Sequence, residues 1–177
     1  MPNKENNTFY QRAMQCGTLL GLLWIAMYTS CIAGFANPFF VLLFMALNIA
    51  SPFYAGYMAI RYRRTECNNI LPYSKAFLFV LTMYICASML SALAHFIYFE
   101  FFDNGYFVQL LMEIKKLLDS DPQQFGQLSK DFNDTITLLT GDGMNNMVLN
   151  ILTSNISNGT LLSLIIAIFV KRSNTDK

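Results

Sequence analysis

Apolar and polar positions alternate on a long period along this chain. Four stretches, Ala13–Phe35, Phe39–Ile60, Tyr73–Phe99 and Met147–Val170, are predominantly apolar, and polar segments separate them. A helix rises about 1.5 Å per residue and needs roughly 20 residues to cross the hydrocarbon core of a bilayer. Each stretch meets that length, so the pattern predicts four transmembrane helices in a bundle. Between the third and fourth stretches the period shortens. Phe107, Leu110, Leu111, Ile114, Leu117 and Leu118 recur at helical spacing, with Glu113, Lys115, Lys116 and Asp119 opposite. Phe125, Leu128, Phe132, Ile136 and Leu139 then repeat at three or four. Two short amphipathic helices follow from that spacing. Asp121-Pro122 reads as the cap and first residue of the second, and Gly141-Asp142-Gly143 as its break. The expected fold is an all-α integral membrane protein, a single four-span domain over residues 1–177. Its spans lie near 13–35, 39–60, 73–99 and 147–170, and residues 103–146 form a helical insert on the outer side.

The spans carry their own local signals. Gly17 and Gly21 have the G-x-x-x-G spacing that lets two helix backbones approach closely. In a four-span chain the expected partner is a sister helix, and a dimer face is the alternative. Ser51, Ala55 and Ala59 recur at every fourth residue and form a second small-residue stripe for helix packing. Pro52 removes a backbone donor and frees the carbonyl of Asn48, which predicts a bend, static in a bundle or hinged in a gate. Pro72 fits the first turn of the third helix. That helix runs into an aromatic series ending at Phe102, Tyr106 and Phe107, suited to the headgroup level. Trp24, the only tryptophan, falls mid-span and is read as a packing residue.

The fourth span is uneven. Gly159–Val170 is strongly apolar, but Asn150, Thr153, Ser154, Asn155, Ser157, Asn158 and Thr160 crowd the outer half of the span. Unpaired amides in hydrocarbon cost several kcal/mol, so that half is expected to face protein or water. Asn150, Ser154 and Asn158 share one stripe by their four-residue spacing. Asn155 and Asn158 fall near the depth of Asn48 and Ser51 in the second span. The candidate site is therefore a polar intramembrane cluster of Asn48, Ser51, Asn150, Ser154, Asn155 and Asn158. Hydrogen bonding between helices is its expected role, and an ion or solute path is the alternative. No Asp, Glu, Lys or Arg falls in the interior of a span. Pumps and coupled transporters usually place one there, which weighs toward the bonding role.

Charge sets the orientation. Only 13% of residues are charged, against roughly 25% in a soluble domain. The connection at 61–75 holds Arg61, Arg63, Arg64 and Lys75 against Glu66, and the tail holds Lys171, Arg172 and Lys177 against Asp176. Residues 100–146 instead carry eight acids, including Glu100, Asp103 and Asp131, against Lys115, Lys116 and Lys130. Basic loops stay on the cytoplasmic side. Four spans with this distribution put both termini in the cytoplasm and 103–146 outside, in the periplasm if the membrane is a bacterial inner membrane. The first apolar core is longer than the roughly 7–15 residues of a signal peptide, so it is read as a retained span.

Little in the chain points to chemistry. Cys16, Cys31, Cys67 and Cys86 are scattered with no C-x-x-C pair, and they read as small apolar packers. His95 is the only histidine, so no metal site is expected. There is no P-loop, G-x-S-x-G elbow or H-E-x-x-H. No catalytic or cofactor-binding residue is assigned, and the protein is not expected to be an enzyme.

Several segments carry a family resemblance. They are Ile70-Leu71-Pro72-Tyr73-Ser74-Lys75-Ala76-Phe77, Ser91-Ala92-Leu93-Ala94-His95-Phe96-Ile97-Tyr98-Phe99, and Asp103-Asn104-Gly105-Tyr106-Phe107. Gly17, Gly21 and the closing run Gly159–Ala167 before Lys171-Arg172 add to them. In order and spacing, the chain resembles the bacterial membrane family termed domain of unknown function 4199. The resemblance covers nearly the whole chain and implies four spans with a helical outer connection. It brings no activity and no functional residue. Family members are often encoded near a membrane-linked sugar transferase, which implies an accessory role in envelope glycan or lipid-linked sugar metabolism.

The leading expectation is a non-enzymatic accessory or scaffold protein of the bacterial inner membrane, with both termini cytoplasmic and residues 103–146 periplasmic. Its expected partners are the bilayer and another membrane protein, such as a membrane-linked glycosyltransferase, or a second copy, with no nucleic acid. A small transporter or channel lined by the Asn/Ser cluster is the alternative. A membrane enzyme acting on a lipid-linked sugar would need an acid–base pair that the sequence does not supply.

Overall fold

The structure, a computed structural model, describes residues 2–34, 37–140 and 144–172. It contains six helices: α1 (Pro2–Gly34), α2 (Pro38–Glu66), α3 (Tyr73–Phe101), α4 (Tyr106–Asp119), α5 (Pro122–Thr140) and α6 (Met144–Val170). No strand occurs among the described residues, and Leu71 and Arg172 form an isolated antiparallel bridge. Thr8–Gly34, Pro38–Glu66, Tyr73–Phe101 and Val148–Val170 are each long and apolar enough to cross a membrane. The chain is an all-α integral membrane protein with four spans, and two amphipathic helices sit in the third connection. The expected break at Gly141-Asp142-Gly143, the end of the first span at Phe35 and the tail charges Asp176 and Lys177 lie outside the described residues.

Helix ends follow local chemistry. Asn37 caps α2 by accepting from the Phe39 N–H at 3.0 Å, with Pro38 in the first turn, where its missing N–H costs nothing. At the other end Asn68 (φ 47°) and Asn69 (φ 64°) take the left-handed conformation that asparagine tolerates. This returns the Asn69 N–H to the Arg63 carbonyl at 3.0 Å. α2 thus continues past Ile60, where the apolar run stops, because polar side chains at a span's end do not interrupt backbone bonding. The start of α3 differs from expectation. Ala76 N–H donates to the Pro72 carbonyl at 3.0 Å, so Pro72 caps the helix and does not occupy its first turn. The reason is Leu71, held in extended bridge geometry with Arg172, which suits a residue preceding proline.

The chain divides into two compact units, Met1–Ser91 with Ser154–Lys177, and Ala92–Thr153. In the first, one core draws on all four long helices: Leu20 and Trp24 from α1, Ala55 and Ala59 from α2, Phe79, Met83 and Tyr84 from α3, and Ile166 and Ala167 from α6. Through the span, α2 leaves large apolar side chains uncovered, among them Leu42, Ile49 and Phe53. In lipid such exposure carries no penalty, so small residues and not large ones go to the contacts. Tyr62 stacks on Phe79 with ring centroids 4.2 Å apart, and Arg12 bridges Glu66 at 2.7 Å.

In the second unit, Ala92, Phe99 and Val148 form a smaller core flanked by Phe107, Ile151 and Leu152. His95 is buried, its ring 6.2 Å from that of Phe99. Asp103 is also buried, and both its carboxylate oxygens accept from the Phe107 N–H, at 3.1 and 3.2 Å. A carboxylate at the start of α4 satisfies an orphan donor and meets the positive end of the helix dipole. Asp121 plays the expected part for α5, its carbonyl accepting from the Phe125 N–H at 3.0 Å.

Candidate functional site

Both small-residue stripes turn inward in the first unit. A Cβ on Gly17 would lie 2.7 Å from the Met83 carbonyl oxygen and 2.8 Å from the Cys86 Cβ. On Gly21 it would lie 3.0 Å from the Leu90 Cδ2. The G-x-x-x-G face is therefore the seat of α3. Ser51, Ala55 and Ala59 are likewise buried.

The polar positions are drawn together only in part. Asn48 and Ser51 from α2 and Asn155 and Asn158 from α6 line one cavity of about 500 Å³, with Trp24 and Tyr28 from α1 and Tyr84 from α3. Helical spacing explains each contribution: Trp24 and Tyr28 are four apart, and Asn155 and Asn158 are three apart, so each pair shares a face. Ser154 is exposed and does not line the cavity, and Asn150 is exposed in the other unit. The polar half of α6 does not turn wholly inward. Thr153 donates to the Leu149 carbonyl and Thr160 to the Ile156 carbonyl, both at 2.8 Å. A hydroxyl bonded to the carbonyl four residues back needs no partner on another helix.

Inside the cavity the geometry is specific. Trp24 Nε1 donates to Ser51 Oγ at 2.7 Å. Tyr28 Oη donates to Asn155 Oδ1 at 3.4 Å. The Trp24 and Tyr84 rings lie 5.8 Å apart, tilted by 42°. Gly159 lets α6 close on Tyr84, since a Cβ there would fall 2.8 Å from the Tyr84 Cβ. Two buried polar atoms of this wall have no protein hydrogen-bond partner, Tyr84 Oη and Asn155 Nδ2. No acidic or basic residue lines the cavity. Its chemistry is that of neutral donors and acceptors between aromatic faces.

The sequence does not mark the tyrosines and Trp24 as members of this site. Aromatic residues inside a span read as core, and only the position of their polar tips distinguishes them. A second cavity, of about 400 Å³, lies against Arg12, Arg61, Tyr62 and Glu66. Cys67, just beyond α2, is half-buried and free, and burial pushes its thiol above the usual range. Among the described residues no three of His, Cys, Asp and Glu gather as metal ligands would.

Fold and site together define a multi-pass helical membrane protein with an uncharged intramembrane cavity. The chain belongs to the family described as protein of unknown function (DUF4199), which it matches over residues 15–172, from within the first span through the end of the fourth. No curated protein and no solved structure matches it significantly.

Proposed function

We propose that the protein is a non-enzymatic accessory or scaffold subunit of the bacterial inner membrane. Both termini lie in the cytoplasm, and α4 and α5 project into the periplasm to engage a membrane partner in envelope glycan or lipid-linked sugar metabolism. A membrane-linked glycosyltransferase or a second copy of this chain fits that part. The supporting observation is the surface of α4 and α5. Leu117 (71% exposed), Leu128 and Met112 lie outside the four spans yet are left uncovered by their own unit. Large apolar side chains exposed beyond the hydrocarbon region favour a protein or headgroup contact. The orientation rests on the basic residues Arg61, Arg64, Lys171 and Arg172 at one pair of span ends.

The test is capture from native membranes with wild type and with Leu117→Asp/Leu128→Asp. A membrane protein retained by wild type and lost from the variant supports the reading; identical captured sets overturn it. A reporter fused at Asp131 that is active in the cytoplasm overturns the orientation. A second reading, a small-solute transporter or channel, is favoured by the meeting of Asn48, Asn155 and Asn158 at one cavity. Asn158→Leu then abolishes solute flux in liposomes while leaving the protein folded.

A further inference from the structure

We infer that the cavity between Trp24, Tyr28, Tyr84 and Asn155 is a binding site for an uncharged hydroxylated molecule, held by the Tyr84 hydroxyl and the Asn155 amide. Tyr84 is only 1% exposed, and its hydroxyl meets no protein partner. Its ring is already seated by Gly159 and faces Trp24, so phenylalanine would fill the same space. A buried hydroxyl without a partner is costly. Asn155 is arranged in a similar way. Tyr28 engages Oδ1 and leaves Nδ2 unpartnered. If the amide is turned the other way, the oxygen is left instead, and either orientation keeps one end for a ligand.

The chemistry of the walls selects the class. No charged side chain lines the cavity, so an ion entering it would lose hydration without gaining a counter-charge. Tyr84 both donates and accepts, as do the amides of Asn48 and Asn158, and a hydroxyl group is the neutral partner that answers both. The aromatic faces of Trp24 and Tyr84 offer apolar cover for the carbon skeleton between hydroxyls. The volume of about 500 Å³ falls in the range of small-molecule sites, well above the roughly 30 Å³ of a water. Such a ligand has two sources, a free polyol or the uncharged head of a glycerolipid. The inference is independent of the partner proposed for α4 and α5, and neither result decides the other.

Trp24 is the only tryptophan, so its fluorescence reports on this cavity alone. Full-length protein in phosphatidylcholine nanodiscs is titrated with myo-inositol, with dioctanoylglycerol and with dioctanoyl phosphatidic acid as the charged control. A saturable change in Trp24 emission is expected with one neutral probe, and which probe produces it identifies the source. Tyr84→Phe is expected to weaken that binding about tenfold, the size of one lost hydrogen bond, while the protein melts no earlier than wild type. Asn155→Leu gives the same loss through the second contact and serves if Tyr84→Phe does not fold. Silence with both neutral probes, unchanged affinity in the variants, or equal binding of phosphatidic acid overturns the inference.

Discussion

The indole N–H of Trp24 donates to the hydroxyl of Ser51 at 2.7 Å, and both residues are buried. This bond joins α1 to α2 at the wall of the cavity. Removing Ser51 leaves the indole N–H without that acceptor. Ser51→Ala is therefore expected to lower stability by about 1–2 kcal/mol, within the range for an orphaned buried donor. A double-mutant cycle with Trp24→Phe separates the bond from the packing. Its coupling should lie near about 0.6 kcal/mol and not exceed about 1.7 kcal/mol, the average and the maximum found for hydrogen bonds inside membranes. Unfolding in mixed micelles measures it, and a coupling near zero would remove the bond from the energetics.

Glycine substitutions separate by what surrounds them. Gly17→Ala drives a Cβ to 2.7 Å from the Met83 carbonyl oxygen, and Gly159→Ala drives one to 2.8 Å from Tyr84. Backbone and a clamped ring cannot yield cheaply, so each should cost about 1–3 kcal/mol. At Gly126, inside α5, a Cβ would meet nothing within 4 Å. Gly126→Ala should instead gain about 0.5–1 kcal/mol by reducing the freedom of the unfolded chain. Thermal unfolding of the three variants checks the order. Gly17→Ala should also leave the oligomeric state unchanged, because that face already holds α3.

Arg63 is buried, and its Nη1 donates to the Val170 carbonyl at 2.6 Å. Val170 is the last residue of α6, where carbonyls have no helical partner. A guanidinium there also meets the negative end of the helix dipole. The nearby Leu71–Arg172 bridge fixes the same helix end with bonds of 2.8 and 3.0 Å. Arg63→Ala should cost about 1.5–3 kcal/mol, the value of a charge-assisted bond. Hydrogen exchange should show the last turn of α6 opening before the rest of the helix. Uniform loss of protection along α6 would count against a capping role.

These relationships mark where sequence stops being legible. The four spans and the pair α4 and α5 follow from apolar length and period, which depend on the chain alone. The partner of Gly17 and Gly21 does not, because the same spacing suits a sister helix and a second chain equally. Arg63 reads as one more basic residue of a loop, since the apolar run ends at Ile60 while the helix continues to Glu66. Ser154 and Asn155 are adjacent in sequence, yet only Asn155 reaches the cavity. A four-residue stripe names residues that share a face, not which face the neighbouring helices cover. Tyr84 is hidden for the opposite reason: its ring belongs to the core, and only its hydroxyl sets it apart.

Asp119 ends α4 and ties it to α5. Lys115 Nζ donates to its Oδ2 at 2.6 Å, and Ser129 Oγ donates to Oδ1. These two bonds, the lysine first, hold the carboxyl below its usual value of 3.8. A carboxylate whose folded pKa is depressed contributes stability that is complete above the unfolded value and fades as pH falls through the folded one. The window therefore lies below about pH 3.8, and nothing should change between neutral pH and that point. The group is open to solvent, so salt should weaken the effect. Acid titration of wild type and Asp119→Asn, followed by hydrogen exchange across α4 and α5, gives the check. Wild type should lose protection at that junction at low pH, while Asp119→Asn starts less protected and stays level. Parallel acid curves would mean that Asp119 does not join the two helices, and that their mutual packing rests on apolar contacts alone.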